Sequence, residues 1–272
     1  MIENVLQIMP LWLAGIFLVL LCLLGYEAGR FIHKRFSGDP AIERPRSDAE
    51  NYIIGAIFGL FAFIVGFTFS IASDRFDSRR GWVAEEATAI TTMFLRAEFL
   101  DEPFRTDLRK TLREYAHTRV APDGNWNEQM ERQVELSHRL RERLWAVARD
   151  GAYPYRDSDL GGYIIEGMND LLSVGTRREL AGTAHIPNRI FNALLLYMVV
   201  ASAVLGYLSG PQANRARIAA GLLFSMMALS IVLILDLDRP RGGEIKVPQT
   251  ALENLVAALD KQKLEPVAAP RP

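Results

Sequence analysis

Few residues of this chain have the types and spacing that catalysis or metal binding needs. The sequence holds four histidines and one cysteine, Cys22, and these do not form a zinc-binding spacing. His138 and Glu142 lie four residues apart, which is more typical of a solvated pair on a helix than of a metal site. No nucleophile and base stand together in a recognisable set. We therefore predict no metal site, no cofactor and no enzymatic activity.

Phosphate and nucleic-acid chemistry is equally poorly supported. The Gly161-Gly162 pair lacks the Lys and the Ser or Thr of a phosphate-binding loop and follows no strand pattern. The net charge is −1 over 272 residues, so the chain has no global positive field that would attract nucleic acid. We predict no nucleic-acid partner.

The spacing that does stand out joins small and aromatic residues in one apolar run. At about 100° per residue, Gly55, Gly59, Ala62, Gly66 and Ser73 share one side of a helix, as small residues do where membrane helices pack closely.

A second line on the same run is formed by Gly59, Phe63, Phe67, Ser70 and Asp74. Bulky apolar residues in a line can close a pore by excluding water. From the spacing alone, close packing, phenylalanines that face lipid and a pore lining all stay open.

The elements that carry these residues are long apolar runs. A helix of roughly 20 apolar residues crosses the ~30 Å hydrocarbon core of a bilayer. Four such runs predict transmembrane helices at residues 8–29, 52–73, 190–208 and 218–235. The leader at 1–7 carries Glu3 and no Lys or Arg, so we expect the first run to stay as a helix and not to be a cleaved signal.

Polar segments separate these runs. They are a basic loop at 30–51, a charge-rich domain at 74–189, a short loop at 209–217 and a tail at 236–272 whose end, after Gln262, is predicted to be disordered. No useful run of alternating polarity occurs, so strands are not expected. The predicted fold class is an all-α membrane protein, with four transmembrane helices in two pairs that flank a helical extramembrane domain.

The helices of the domain at 74–189 are indicated by periodicity and punctuation. Residues 81–100 can continue the second span as one rod, Glu85 and Glu86 are expected on its solvated side, and residues 121–125 form a turn. Apolar residues recur mostly at spacings of three and four from 127 to 149 and predict an amphipathic helix that packs against another element. They are Val134, Leu136, Leu140, Leu144 and Val147.

The charges of the loops give a divided prediction of orientation. Both short loops are rich in Lys and Arg, which favours the cytoplasm for them and the exterior for the chain ends. The tail is basic near the fourth span as well, and this argues for the opposite orientation. Four crossings nevertheless place both ends and the middle domain on one side.

The Phe63-Ile64-Val65-Gly66-Phe67 stretch, with Arg75 eight residues after Phe67, resembles the second transmembrane helix of bestrophin anion channels. A more specific resemblance covers most of the chain and is to a bestrophin-like family of bacterial membrane proteins. It rests on residues 66–70, 86–90, 95–97 and 236–240.

This resemblance implies a multi-pass protein of the bacterial inner membrane that forms a homo-oligomer, a pentamer in the channels, and conducts small anions. The pore-lining residues would be Gly59, Phe63, Phe67 and Ser70, with the two phenylalanines at the neck. Gly59 stands where such a neck would have another bulky residue, so the constriction would be wider or shorter.

The boundary after the fourth span departs from the channels too. Bestrophins bind calcium with an acidic run there, whereas Arg239 directly follows Asp236 and Asp238 and would oppose a cation. We therefore expect the two carboxylates to pair with basic residues, because carboxylates at a membrane boundary seek partners. The candidates are Arg75, Arg79, Arg80 and Arg239.

Two classes of function stay open at this point. The first is an oligomeric channel with a hydrophobic neck. The second is a membrane-anchored sensor or scaffold whose helical domain binds a protein partner through the apolar stripe from Val134 to Val147 and conducts nothing.

Overall fold

The computed structural model describes residues 9–36, 47–120, 128–209, 214–239 and 242–262. The predicted leader at 1–7, residues 37–46 of the predicted basic loop, the predicted turn at 121–125 and the predicted disordered end lie outside the described residues.

The described residues form α-helices joined by short segments, with no strand among them. The α-helices are α1 Leu11–Phe36, α2 Asp48–Arg96, α3 Phe104–Arg119, α4 Glu128–Ala152, α5 Asp159–Thr183, α6 Asn188–Leu208, α7 Asn214–Asp238 and α8 Thr250–Lys261. Short 3₁₀ segments follow α2 at Ala97–Phe99 and α4 at Tyr153–Tyr155.

Four of the helical stretches are long and apolar enough to cross a membrane, and each overlaps one predicted apolar run. They confirm the predicted fold class. Helix α1 continues to Phe36, past the predicted end of the first span at residue 29. Helix α2 is a rod of 49 residues, about 73 Å long at 1.5 Å per residue, and continues beyond the second span as expected.

The chain divides into two compact units, and the membrane unit comprises the residues up to Arg75, His185–Arg239 and Gly243–Ile245. Its closest packing joins α1 to α6. A Cβ added to Gly29 would lie 1.9 Å from the Ala203 carbonyl oxygen, and one added to Gly206 would lie 2.0 Å from that of Tyr26. Only glycine allows the two backbones to approach this closely.

Helix α7 packs on the same part of α1. The rings of Tyr26 and Phe224 meet edge to face with centroids 5.9 Å apart, and both side chains are fully buried or nearly so. Aromatic pairs favour this arrangement because the ring edge is positive and the face negative.

The second unit is the helical domain, which comprises Phe76–Ala184, Pro240–Gly242 and the chain from Lys246 onward. Its core contains Leu108 and Leu112 of α3, Leu144 of α4 and Met168 of α5, none of which is exposed. Helix α8 joins this core through Leu252, Leu255 and Leu259.

The predicted stripe of α4 is correct in part. Leu140 and Leu144 are buried, but Leu136 is 48% exposed. The buried side of α4 continues through Met130, Ser137 and Ala148. The predicted stripe included only strongly apolar residues, and it therefore missed Ser137 and Ala148, which are small and buried.

Candidate pore-lining face and charged clusters

Helix α2 carries the predicted pore-lining residues on an exposed side. Phe63 is 70% exposed and Phe67 is 61% exposed, and Gly59 and Ser70 are exposed as well. At 100° per residue these four positions fall within about 80° of one another. We call them the aromatic face of α2.

The opposite side of the same helical stretch is buried. Phe61, Thr68 and Ala72 are no more than 5% exposed, and the Thr68 hydroxyl donates to the carbonyl oxygen of Ile64 at 2.7 Å. The burial of this side sets the rotation of α2, and the aromatic face points away from the other described residues of the membrane unit.

The glycines of the second span have no close neighbour in the part of the chain that the structure describes. A Cβ added to Gly55, Gly59 or Gly66 has no heavy atom within 4 Å outside its own helix and chain neighbours. Close packing of this side is therefore not found among the described residues of a single copy and stays a prediction. The close glycine packing lies between α1 and α6 instead.

The two boundary carboxylates after the fourth span accept hydrogen bonds from backbone groups. Asp236 accepts from the amide of Glu244 at 2.7 Å, and Asp238 accepts from the amide of Ile186 at 2.8 Å. The His185 imidazole lies 3.6 Å from the Asp238 carboxylate. Both aspartates are at least 94% buried. Their hydrogen bonds join the end of α7 to the segment that follows it, at Glu244, and to the segment before α6, at Ile186.

The boundary arginines bind carbonyl oxygens. Arg239 donates to the carbonyl of Met9 at 2.8 Å, and Arg79 donates to those of Ala181 and Ala184 at 3.1 and 2.7 Å. An arginine suits the carbonyl end of α5 because that end carries partial negative charge. The predicted ion pairs of Asp236 and Asp238 with Arg75, Arg79 or Arg80 stay predictions.

The strongest concentration of charge in the helical domain surrounds Glu86. One carboxylate oxygen accepts from the Tyr115 hydroxyl at 2.8 Å and from the Arg119 Nε at 2.7 Å, and the other accepts from Arg178 at 2.6 Å. Arg178 also donates to the side chain of Gln249, just before α8, at 2.9 Å.

A second carboxylate extends this cluster. Glu179 accepts from Arg119 at 3.0 Å and from Arg141, and Ser137 accepts from Arg119 at 3.1 Å. Helices α2, α3, α4 and α5 and the segment before α8 thereby share one network. Three arginines surround two glutamates in it, so it has a net charge of +1.

The environment of Glu86 shifts two pKa values. Burial raises the pKa of the Glu86 carboxyl, but the charges of Arg119 and Arg178 and the hydrogen bonds from Arg178 and Tyr115 outweigh burial, and the pKa falls below its usual value. Burial and the adjacent Glu86 charge raise the pKa of Tyr115 to about 12. Glu86 is therefore ionised and Tyr115 neutral near pH 7.

Sequence reasoning missed this cluster, because it placed Glu86 on a solvated side of α2. Glu86 is not exposed at all, whereas Glu85 is exposed as expected. A usable signal existed, since Glu86 follows Val83 by three residues and precedes Ile90 by four and so shares their buried side. Among the described residues no group of three or more His, Cys, Asp and Glu side chains could hold a metal ion.

The described residues thus form an all-helical protein with four candidate membrane spans and an exposed aromatic face. A family model of the bestrophin-like domain matches residues 12–252, and the chain belongs to that family.

Solved structures of similar fold include two mutants of a bacterial bestrophin homolog from Klebsiella pneumoniae. One is 14% identical with a TM-score of 0.64 and covers 93% of this chain and 100% of the other. The second is 16% identical with a TM-score of 0.63, and the match covers 91% of this chain and 99% of the other. No curated protein matches.

Proposed function

We propose that this protein is a homo-oligomeric ion channel of the bacterial inner membrane, a ring of five copies by resemblance, in which α2 helices surround a central path. The observation that carries the proposal is the exposed pair Phe63 and Phe67, one turn apart on a helix whose other side is buried. A ring of such side chains sheds water and raises the barrier to an ion, so the two phenylalanines would form the neck.

The small residues of α2 support assembly with other copies. Gly55 and Gly66 have no Cβ, which allows a neighbouring helix to approach the backbone closely, and no such neighbour occurs among the described residues of one chain. A second copy would supply it. The resemblance to bestrophins makes small anions the proposed permeant ions.

Conductance of the purified protein in planar bilayers tests the neck. Replacing both Phe63 and Phe67 with Ala is expected to enlarge single-channel conductance, because a wider and less apolar constriction stays hydrated. Phe69→Ala is the matched control, since Phe69 is 40% exposed but lies on another side of α2. It should leave conductance unchanged.

The test has a clear negative outcome. If the wild type and the double variant are both silent while the protein is folded and ring-shaped, the channel function is excluded. Mass measurement in detergent decides the assembly, because a monomer with four spans leaves no room for a central path.

The alternative is a membrane-anchored scaffold whose helical domain binds a protein partner. Its main support was the apolar stripe of α4, but Leu140 and Leu144 are covered by the domain's own core. Only Leu136 is left as a large exposed residue of that stripe. The channel is therefore the better supported function.

A further inference from the structure

One end of the membrane unit carries a concentration of basic side chains that the proposed pore does not use. Lys34 and Arg35 lie in the last turn of α1, Arg30 lies one turn earlier, and Arg217 lies at the start of α7. We call these four residues, with Glu27, the basic end.

The two helices meet at Glu27. Its Oε1 lies 3.4 Å from Nη1 of Arg30 and 3.3 Å from Nε of Arg217. The carboxylate therefore draws two guanidinium groups from separate helices toward one place. Four cations and one carboxylate give this place a charge of +3, the sum of four positive charges and one negative charge.

Arg30 supplies a second, independent observation. This residue is only 8% exposed, and its Nε–H is buried without a hydrogen-bond partner among the described residues. Buried donors are nearly always satisfied in folded proteins, so a donor with no partner among the described residues leaves room for a further acceptor beside Arg30.

The surroundings indicate what kind of acceptor fits. Phe31 and Phe36 on α1 are 70% and 78% exposed, and Tyr207 near the end of α6 is 38% exposed. Aromatic and basic residues at the ends of membrane helices lie at the level of the lipid headgroups. A ligand here must offer an anionic group to the arginines and apolar chains to the exposed rings.

We propose that the basic end binds the headgroup of an anionic phospholipid, with phosphate oxygens accepting hydrogen bonds from Arg30 and Arg217 and with Lys34 and Arg35 adding attraction. A free phosphate would match the charges but not the apolar surroundings. A zwitterionic lipid would match the surroundings but not the charges. This lipid site holds whether or not the protein conducts ions.

The experiment is a lipid titration of the intact protein in detergent, followed by native mass spectrometry. Phosphatidylglycerol is expected to bind at least tenfold more tightly than phosphatidylcholine. The Lys34→Gln, Arg35→Gln, Arg217→Gln triple variant is expected to lose this preference by an order of magnitude or more, because each basic residue near an anionic surface adds attraction. High salt should also weaken the preference for phosphatidylglycerol, because it screens the attraction between charges.

The control removes the same number of charges elsewhere. Lys110, Arg132 and Arg139 are exposed residues of the helical domain, and replacing all three with Gln should keep the preference. If the triple variant proves unstable, the Lys34→Gln, Arg35→Gln pair, which changes only exposed side chains, is measured instead. It is expected to lose part of the preference.

Three results would overturn the proposal. They are equal binding of the two lipids by the wild type, full preference in the variants of the basic end, and complete replacement of the lipid by inorganic phosphate. The last result would assign a site for free anions.

Discussion

Glu86 is the residue whose burial has the largest energetic consequence in the helical domain. Moving a carboxylate out of water costs several kcal/mol, and the cost is offset only where good partners replace the water. Arg119, Arg178 and Tyr115 supply those partners at 2.6 to 2.8 Å. Four helices and the segment before α8 therefore depend on one ionised side chain.

Replacing Glu86 with Gln is expected to lower the free energy of unfolding by about 3 to 5 kcal/mol near pH 7, because the arginines would keep their buried charge without a counter-ion. Chemical unfolding in detergent measures the change. Glu85→Gln, on the exposed side of the same turn, is the control and should stay within about 0.5 kcal/mol.

The pH dependence of this difference follows from the lowered pKa of Glu86. The stabilisation is present above the unfolded-state pKa of about 4.5 and is lost as pH falls through the lower folded-state pKa. The wild type should therefore lose its advantage over Glu86→Gln in acid below pH 4.5. A difference that does not change down to pH 2 would contradict the role given to the ionised carboxylate.

At the scale of helices, the glycines have opposite surroundings in different spans. Gly29 of α1 and Gly206 of α6 lie against backbone, whereas the glycines of α2 have no close neighbour among the described residues. The sequence shows which faces are small, but not which helix covers them, because that depends on pairing between distant spans. For this reason the four spans and the long α2 could be predicted, and the closely packed pair could not.

Gly206→Ala is expected to destabilise the membrane unit by about 1 to 3 kcal/mol, since its Cβ would overlap the Tyr26 carbonyl and push α1 and α6 apart. Gly59→Ala fills open space, and alanine is the better helix former, so it should not destabilise the single chain. Thermal unfolding of both variants in one detergent makes the comparison. Equal losses would show that the α1–α6 approach is not tight.

For the candidate site, helical spacing was enough to predict that the residues of the aromatic face share one side of α2, and these residues are exposed. Their pore-lining role, which comes from the resemblance, stays a prediction. The Glu86 cluster was missed because its meaning depends on Arg119 and Arg178, which lie 33 and 92 residues away in the chain. Residues so far apart in the chain come into contact only when the helices of the domain pack together. A single helical pattern can indicate that Glu86 is buried, but not what neutralises it.

At the scale of the whole molecule, we predict that the chain ends and the helical domain lie on the same side of the membrane, because four crossings would return the chain to its starting side. Reporter fusions at Met1, Gly124 and Pro272 are expected to agree. A fusion at Gly124 that reports the opposite side from both ends would mean that one predicted span does not cross. The fusions also decide between the exterior, which the short loops favour, and the cytoplasm, which the resemblance to bestrophins favours.

The glycine contact between α1 and α6 joins two helices that are synthesised at different times. The ribosome completes α1 at Phe36 and begins α6 at Asn188, which is 152 residues later by subtraction. At roughly 5 to 20 residues per second, this interval lasts about 8 to 30 s. The first span must therefore wait in the membrane, its glycine surface held by lipid or by the insertion machinery, while helices α3 to α5 of the helical domain are translated. Membrane assembly of this protein is accordingly completed late, when its third and fourth spans arrive.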